Sequence, residues 1–100
     1  MKLWIDDIRP APNLGYFCMP SVNLAISYIL YCEEIGVRLE LIDIDHDAGD
    51  YAYDGGDYIK LLDWLEETGR NYPIRIHSMN PVGVENMRRI IRKNGWTEVG

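Results

Sequence analysis

The chain has 100 residues, of which 47% are hydrophobic and 11% aromatic, and its formal net charge is −6 at pH 7. This length predicts one domain over residues 1–100, and the apolar content excludes a disordered chain. The acidic balance excludes an extended nucleic-acid-binding surface, which would need net basic charge. No apolar stretch is long enough to span a bilayer. We therefore expect no membrane partner and, because acids follow the start too closely for a signal peptide, a cytoplasmic protein.

The first predicted strand, residues 3–5, is an apolar run that ends in Asp6 and Asp7, as in a buried parallel strand. Residues 9–20 contain three prolines and a glycine, which predicts an irregular loop. The first helix is predicted to start after Ser21, a favourable N-cap, and to end at Gly36. Its segment 28–32 is apolar on more than one face, which is compatible with a homo-oligomer.

The second half of the chain repeats this alternation of strand, polar cluster and helix. A strand over residues 39–44 is followed by a glycine-containing loop, and Asp57 is the predicted cap of a second helix that Gly69 ends. A third strand over residues 74–76 precedes Asn80 and Pro81, which form a cap and first-turn signature for a third helix. Gly95 ends that helix, and residues 96–99 are predicted to form a short fourth strand.

The resulting pattern is βαβαβαβ, which predicts an α/β fold with a small open parallel sheet of about four strands and three crossover helices. Ligands of such sheets bind beyond the carboxyl ends of the strands, at a switch point in strand order. Order 2-1-3-4 places a switch point beside the first strand. The sequence leaves order 1-2-3-4 open as the alternative.

Acidic residues follow the first two predicted strands, with Asp6 and Asp7 after one and Asp45 and Asp47 after the other. The carboxyl ends of neighbouring parallel strands lie about 4.8 Å apart, so we expect these side chains to meet. Crowded carboxylates repel one another, and a cation relieves the repulsion. Asp6, Asp7 and Asp45 are the predicted ligands of Mg²⁺ or Mn²⁺, whereas Asp47 serves equally well as a loop cap. Zinc held by Asp and His is a less favoured alternative.

Two histidines and a helix start are predicted at the same edge of the sheet. Because histidine is the side chain suited to proton transfer near neutral pH, His46 and His77 are predicted to be either general acid and base or hydrogen-bonded structural residues. The backbone of Asn80, Val82 and Gly83 opens the third helix and predicts an anion site. Ser78 and Arg9 would add donors to a phosphate, although Arg9 could instead only neutralise Asp7. Metal ligands beside anion donors are typical of a phosphoryl site.

Three segments resemble the cyclic-phosphate processing receiver domain family, a divergent relative of response-regulator receiver domains. They are residues 3–10 (LWIDDIRP), 44–49 (IDHDAG) and 76–83 (IHSMNPVG). The resemblance implies a receiver-like, flavodoxin-like fold, with Asp6 and Asp7 as the metal-binding acid pair and Asp45 as the acceptor acid. It also implies that Ser78 contacts a phosphoryl group.

Two departures from ordinary receivers accompany this resemblance. Ordinary receivers have five strands and a lysine at the end of the last one, whereas four strands are predicted here and residues 96–99 contain no lysine.

The resemblance implies a metal-dependent hydrolase, a phosphoesterase whose partner is a small phosphate ester or the cyclic phosphate of a nucleotide or RNA end. Asp45, His46 and His77 would be its catalytic residues. A receiver-like signalling module that binds metal and phosphate, or a protein, without turnover is the alternative.

Overall fold

Four short segments form a single parallel sheet in the computed structural model, which describes residues 1–100. The strands are β1 (Lys2–Ile5), β2 (Tyr16–Met19), β3 (Leu41–Ile44) and β4 (Ile74–Ile76). Their order across the sheet is β2-β1-β3-β4, and every neighbouring pair is parallel. The sheet is open, with β2 at one edge and β4 at the other.

Three helices follow the strands: α1 (Val22–Ile35), α2 (Ile59–Glu67) and α3 (Pro81–Asn94). The Ser21 hydroxyl accepts a hydrogen bond from Leu24 N–H at 3.2 Å, so Ser21 is the N-cap of α1. Gly36 and Gly95 end α1 and α3 with left-handed φ angles of 74° and 67°, a conformation that glycine adopts without strain. The predicted bounds of these two helices are confirmed. A short 3₁₀ turn, Gly49–Tyr51, precedes α2.

The core lies between the three helices and one face of the sheet. Strand residues that alternate along the sheet, including Leu3, Ile5, Ile42 and Ile44, form one buried cluster with apolar residues of all three helices. Trp4 and Asp43, which point to the opposite face, are buried without belonging to that cluster. The opposite face therefore carries its own polar and aromatic packing.

The predicted open sheet of four parallel strands with three helices is confirmed, but its fourth strand is not the predicted one. The loop predicted over residues 9–20 contains β2, because its prolines bracket the aromatic segment Tyr16–Met19 rather than interrupt it. As an edge strand, β2 needs hydrogen bonds along one side only. Conversely, residues 96–99 contribute only an isolated bridge between Ile74 and Glu98. The observed element order is thus ββαβαβα.

Two smaller predictions also need correction. The strand predicted over residues 39–44 begins at Leu41. Asp57 does not cap α2: the N-cap position is Tyr58, without a capping side chain, and the Asp57 carboxylate instead accepts from Ala48 N–H at 3.0 Å. Asp57 therefore fastens the loop that follows β3. None of the helices has the length and apolar composition needed to cross a membrane.

Candidate metal and phosphate site

Three aspartates from two neighbouring strands meet at the carboxyl edge of the sheet. Asp6 and Asp7 follow β1, Asp45 follows β3, and carboxylate oxygens of all three lie within 4.8 Å of one another. The β1–β3 ladder continues to this edge, because Asp45 N–H donates to the Ile5 carbonyl at 2.9 Å. The grouping expected from the sequence is therefore present in the structure.

These carboxylates line an open pocket of about 480 Å³, a volume within the range of small-ligand sites. Four carboxylates, those of Asp6, Asp7, Asp45 and Asp47, face a single guanidinium, that of Arg9. A divalent cation fits this surplus of negative charge and its oxygen-only donor set.

Asp6 is the most constrained of the three acids, with its side chain 1% exposed. One carboxylate oxygen accepts from Ile8 N–H and Arg9 N–H at 2.9 and 3.0 Å, and the other faces His77 Nε2 at 2.9 Å. Burial alone would raise the pKa of Asp6, but the two backbone hydrogen bonds and His77 outweigh it, so the pKa lies below its usual value. Asp6 is thus held as a fixed anion.

The pKa of Asp7 is shifted in the opposite direction from that of Asp6. Burial raises the pKa of Asp7 above its usual value, and the charges of Asp6 and Asp45 raise it further. Gly49 lies directly against this side chain: it has a φ of 54°, and a Cβ atom there would overlap the Asp7 carboxylate. Asp7 therefore gains most, among these acids, from a neighbouring cation.

Asp45 provides a second accessible carboxylate, with its side chain 12% exposed. One of its oxygens accepts from His46 N–H at 2.8 Å, and the other lies 3.5 Å from Arg9 Nη2. Mg²⁺ in proteins usually takes one or two carboxylates and completes its shell with water and phosphate oxygens. Asp7 and Asp45 fit as those two ligands, with Asp6 fixed behind them.

Arg9 lies between these acids and solvent. Its Nε is 3.4 Å from Asp6 Oδ2, its Nη2 donates to the His77 carbonyl at 3.0 Å, and its side chain is 45% exposed. A guanidinium has five N–H donors, so donors remain for a ligand. Of the predicted phosphate-binding residues, Arg9 is the one that lines the pocket together with the acids.

His77 lies between two carboxylates beside the pocket, with its side chain 13% exposed. Its Nε2 faces Asp6 and its Nδ1 lies 2.7 Å from Asp43 Oδ1. Its ring also stacks on Trp4, with centroids 3.8 Å apart and planes inclined by 4°. Because a carboxylate only accepts hydrogen bonds, the ring satisfies both partners when it has an N–H on each nitrogen.

Asp43 and Trp4 were not among the residues that the sequence predicted for the site. A signal was nevertheless present, since Asp43 is a charged residue within the otherwise apolar run Leu41–Ile44. Aspartate is almost never fully buried without a partner. A buried acid inside a strand that leads to a polar cluster could therefore have been linked to one of the two histidines.

His46 lies on the other side of Asp45, against the start of α3. Its Nδ1 is 2.8 Å from Asp47 Oδ1, its Nε2 has no hydrogen-bond partner within the chain, and the residue itself does not line the pocket. A Cβ atom at Gly83 would overlap the His46 ring, so the glycine permits this close approach. Asp47, predicted as the acid most suited to a structural role, orients the His46 ring and also lines the pocket.

The start of α3 is bonded largely within the chain. Ser78 Oγ accepts from Asn80 N–H at 3.2 Å, and Asn80 Oδ1 accepts from Gly83 N–H at 3.0 Å. The amide of the exposed residue Val82 remains to meet an anion. None of Ser78, Asn80, Val82 or Gly83 lines the pocket, so their role in binding phosphate remains a prediction.

One family model matches most of the chain. The family model described as a cyclic-phosphate processing receiver domain covers residues 1–93. The chain belongs to this family. The resemblance seen in the sequence is thereby confirmed over residues 1–93 of the chain. No curated protein and no solved structure matches the chain.

Proposed function

We propose that this receiver domain is a metal-dependent phosphoesterase that hydrolyses a cyclic phosphate or small phosphate ester of a nucleotide or RNA end. One observation supports this most: the carboxylates of Asp6, Asp7 and Asp45 converge in one pocket beside a half-exposed arginine. The acids suit a cation and the guanidinium suits a phosphate, so both halves of a phosphoryl site lie together. Family membership supports the cyclic-phosphate class.

In this proposal the chain's own residues bind the phosphate and move protons. Asp7 and Asp45 would hold Mg²⁺ or Mn²⁺, which when bound supplies positive charge against the phosphate oxygens. Arg9 binds a phosphate oxygen from the opposite side. Hydrolysis adds one water across one P–O ester bond, so that phosphorus gains a hydroxyl and the released ribose oxygen gains a proton.

We assign the proton transfer to His46, because its Nδ1 is held by Asp47 and its Nε2 is available. His77, the other predicted catalytic histidine, has both ring nitrogens against carboxylates, so in this proposal it orients Asp6. Histidine oriented by an adjacent carboxylate is a common acid–base arrangement. The two predicted histidines thus receive different roles.

The substrate class is tested by incubating the protein with Mg²⁺ or Mn²⁺ and a panel of 2′,3′-cyclic nucleotides, 3′,5′-cyclic nucleotides and nucleoside monophosphates. We expect turnover of a 2′,3′-cyclic phosphate to a single monophosphate, and loss of turnover when EDTA removes the metal. Ion chromatography of the products measures both. Hydrolysis that is equally fast in EDTA, or absent across the panel, contradicts the proposal.

A second candidate function is a receiver-like module that binds metal and phosphate without turnover. The position of Asp45 favours this candidate. Its carboxylate is partly exposed in the pocket next to Arg9, and a phosphoryl acceptor needs such exposure. Acetyl phosphate treatment followed by mass spectrometry separates the two. A stable adduct on Asp45 supports the signalling module, whereas an unmodified chain with cyclic-phosphate turnover supports the phosphoesterase.

A further inference from the structure

The sheet face opposite the helices carries a partly buried network with the buried residue Asp43 near its centre. Asp43 is 1% exposed, and its two carboxylate oxygens accept from different elements: Oδ1 faces His77 Nδ1 at 2.7 Å, and Oδ2 accepts from the Tyr16 hydroxyl at 3.2 Å. Trp4 lies between these partners, stacked on His77 and edge-on to Tyr16 at 5.6 Å. Asp43 therefore fixes both aromatic neighbours of Trp4.

This network holds Arg9 through several independent contacts. Trp4 Nε1 donates to the Arg9 carbonyl at 2.9 Å, and the His77 carbonyl accepts from the Arg9 guanidinium at 3.0 Å. Asp6 Oδ2 lies 2.9 Å from His77 Nε2 and 3.4 Å from Arg9 Nε, and Asp6 Oδ1 accepts from Arg9 N–H. Both the backbone and the side chain of Arg9 are thus held by residues of the network.

No buried side-chain nitrogen or oxygen of the chain lacks a hydrogen-bond partner, so the network is fully satisfied. A satisfied buried polar network is rigid, whereas removal of one member leaves its partner without a bond. An arginine on an exposed loop otherwise loses conformational freedom when it binds a ligand. A network that orders Arg9 before the ligand arrives lowers the entropic cost of binding.

We propose that Asp43 is a positioning residue: through the Trp4–His77 stack it fixes Asp6 and the Arg9 side chain, so that the guanidinium is preorganised to receive a phosphate. This inference rests on the proposed function for the identity of the ligand. The ordering of Arg9 itself does not depend on any ligand. Asp43 does not line the pocket, and its contact with the Asp6 and Arg9 side chains runs through His77.

The first test is made on the ligand-free protein by ¹⁵N NMR. In the wild type we expect slowly exchanging ring N–H signals of His77 and a restrained Arg9 Nε–H bond. Asp43→Ala removes the partner of His77 Nδ1, so the ring signals broaden and Arg9 becomes mobile. Asp43→Asn keeps an oxygen acceptor for Nδ1 and restores most of the Arg9 order.

Leu41→Ala is the matched control, because Leu41 is buried on the same face of the same strand, two residues from Asp43. It lowers stability through lost packing but leaves Arg9 ordered. If Asp43→Ala does not fold, Asp43→Ser replaces it, since a serine hydroxyl is too short to reach His77. Unchanged Arg9 order in a folded Asp43→Ala or Asp43→Ser variant overturns the proposal, as does equal disorder in Leu41→Ala.

The second test is a double-mutant cycle that measures binding of inorganic phosphate in the presence of Mg²⁺ by NMR titration. Asp43→Ala weakens phosphate binding by about five- to tenfold, the effect of ordering one long side chain. In an Arg9→Ala background the same change has no further effect, because the two positions are coupled. Equal weakening in both backgrounds overturns the inference. Absence of phosphate binding by the wild type counts against the proposed function alone, since the ligand-free NMR test still decides the role of Asp43.

Discussion

Asp45→Asn lowers Mg²⁺-dependent hydrolysis of a 2′,3′-cyclic nucleotide by about 100- to 1000-fold, the range found when one electrostatic contact to a transition state is removed. The amide keeps the oxygen that accepts from His46 N–H, so the local backbone is retained. However, the variant loses the negative charge that would hold the cation. This charge also lies 3.5 Å from Arg9 Nη2. Steady-state kinetics at saturating Mg²⁺ measure the loss.

Asp50→Asn is the matched control for this variant. It makes the same change of charge in the 3₁₀ turn next to the pocket, but Asp50 is exposed and does not belong to the cluster of three acids. We expect it to retain turnover within about twofold, because exposed charges have small effects. Equal loss in both variants would show that bulk charge, rather than the Asp45 ligand position, governs the rate.

Asp7→Asn raises the free energy of unfolding of the metal-free protein and removes most of the stabilisation that Mg²⁺ gives to the wild type. Burial and the charges of Asp6 and Asp45 raise the pKa of Asp7, so its negative charge opposes folding. Removing it adds about 1 kcal/mol, the size of one partly screened like-charge contact. The wild type, in contrast, gains about 2.7 kcal/mol at a metal concentration of 100 Kd.

The sign of the pH dependence follows from the raised pKa of Asp7. A carboxyl whose pKa is higher in the folded state destabilises the fold above that pKa, and this cost disappears as the pH falls below the usual value of 3.8. The advantage of Asp7→Asn without metal therefore grows from acid towards neutral pH. Urea denaturation in EDTA and in Mg²⁺ measures both effects. The explanation is contradicted if Asp7→Asn is less stable than the wild type without metal, or if Mg²⁺ stabilises both proteins equally.

The parts of the fold that the sequence predicted correctly are those that local chemistry specifies. Ser21 and Asn80 cap their helices and Gly36 and Gly95 end theirs, because capping needs only near neighbours in the chain. Strands β1, β3 and β4 are recognisable as apolar runs that lead into polar clusters. Their parallel pairing then brought Asp6, Asp7 and Asp45 together as expected.

The errors arose where tertiary partners decide the structure. The segment Tyr16–Met19 has no alternating pattern, and only its pairing with β1 makes it a strand. The three predicted strands that form, β1, β3 and β4, lie in sequential order, as in the alternative 1-2-3-4 and not as in 2-1-3-4. The switch point beside β1 comes instead from β2, which the sequence placed in a loop. The role of Asp43 depends on Tyr16 and His77, which lie 27 and 34 residues away along the chain.

The central claim is that Asp7 and Asp45 bind a divalent cation at the carboxyl edge of the sheet. Calorimetric titration of Mn²⁺ into the wild type, Asp7→Asn, Asp45→Asn and Asp50→Asn tests it most directly. We predict one site per chain, with affinity reduced at least about tenfold in the Asp7 and Asp45 variants and unchanged in Asp50→Asn. No binding by the wild type, or equal affinity in all four proteins, would contradict the claim.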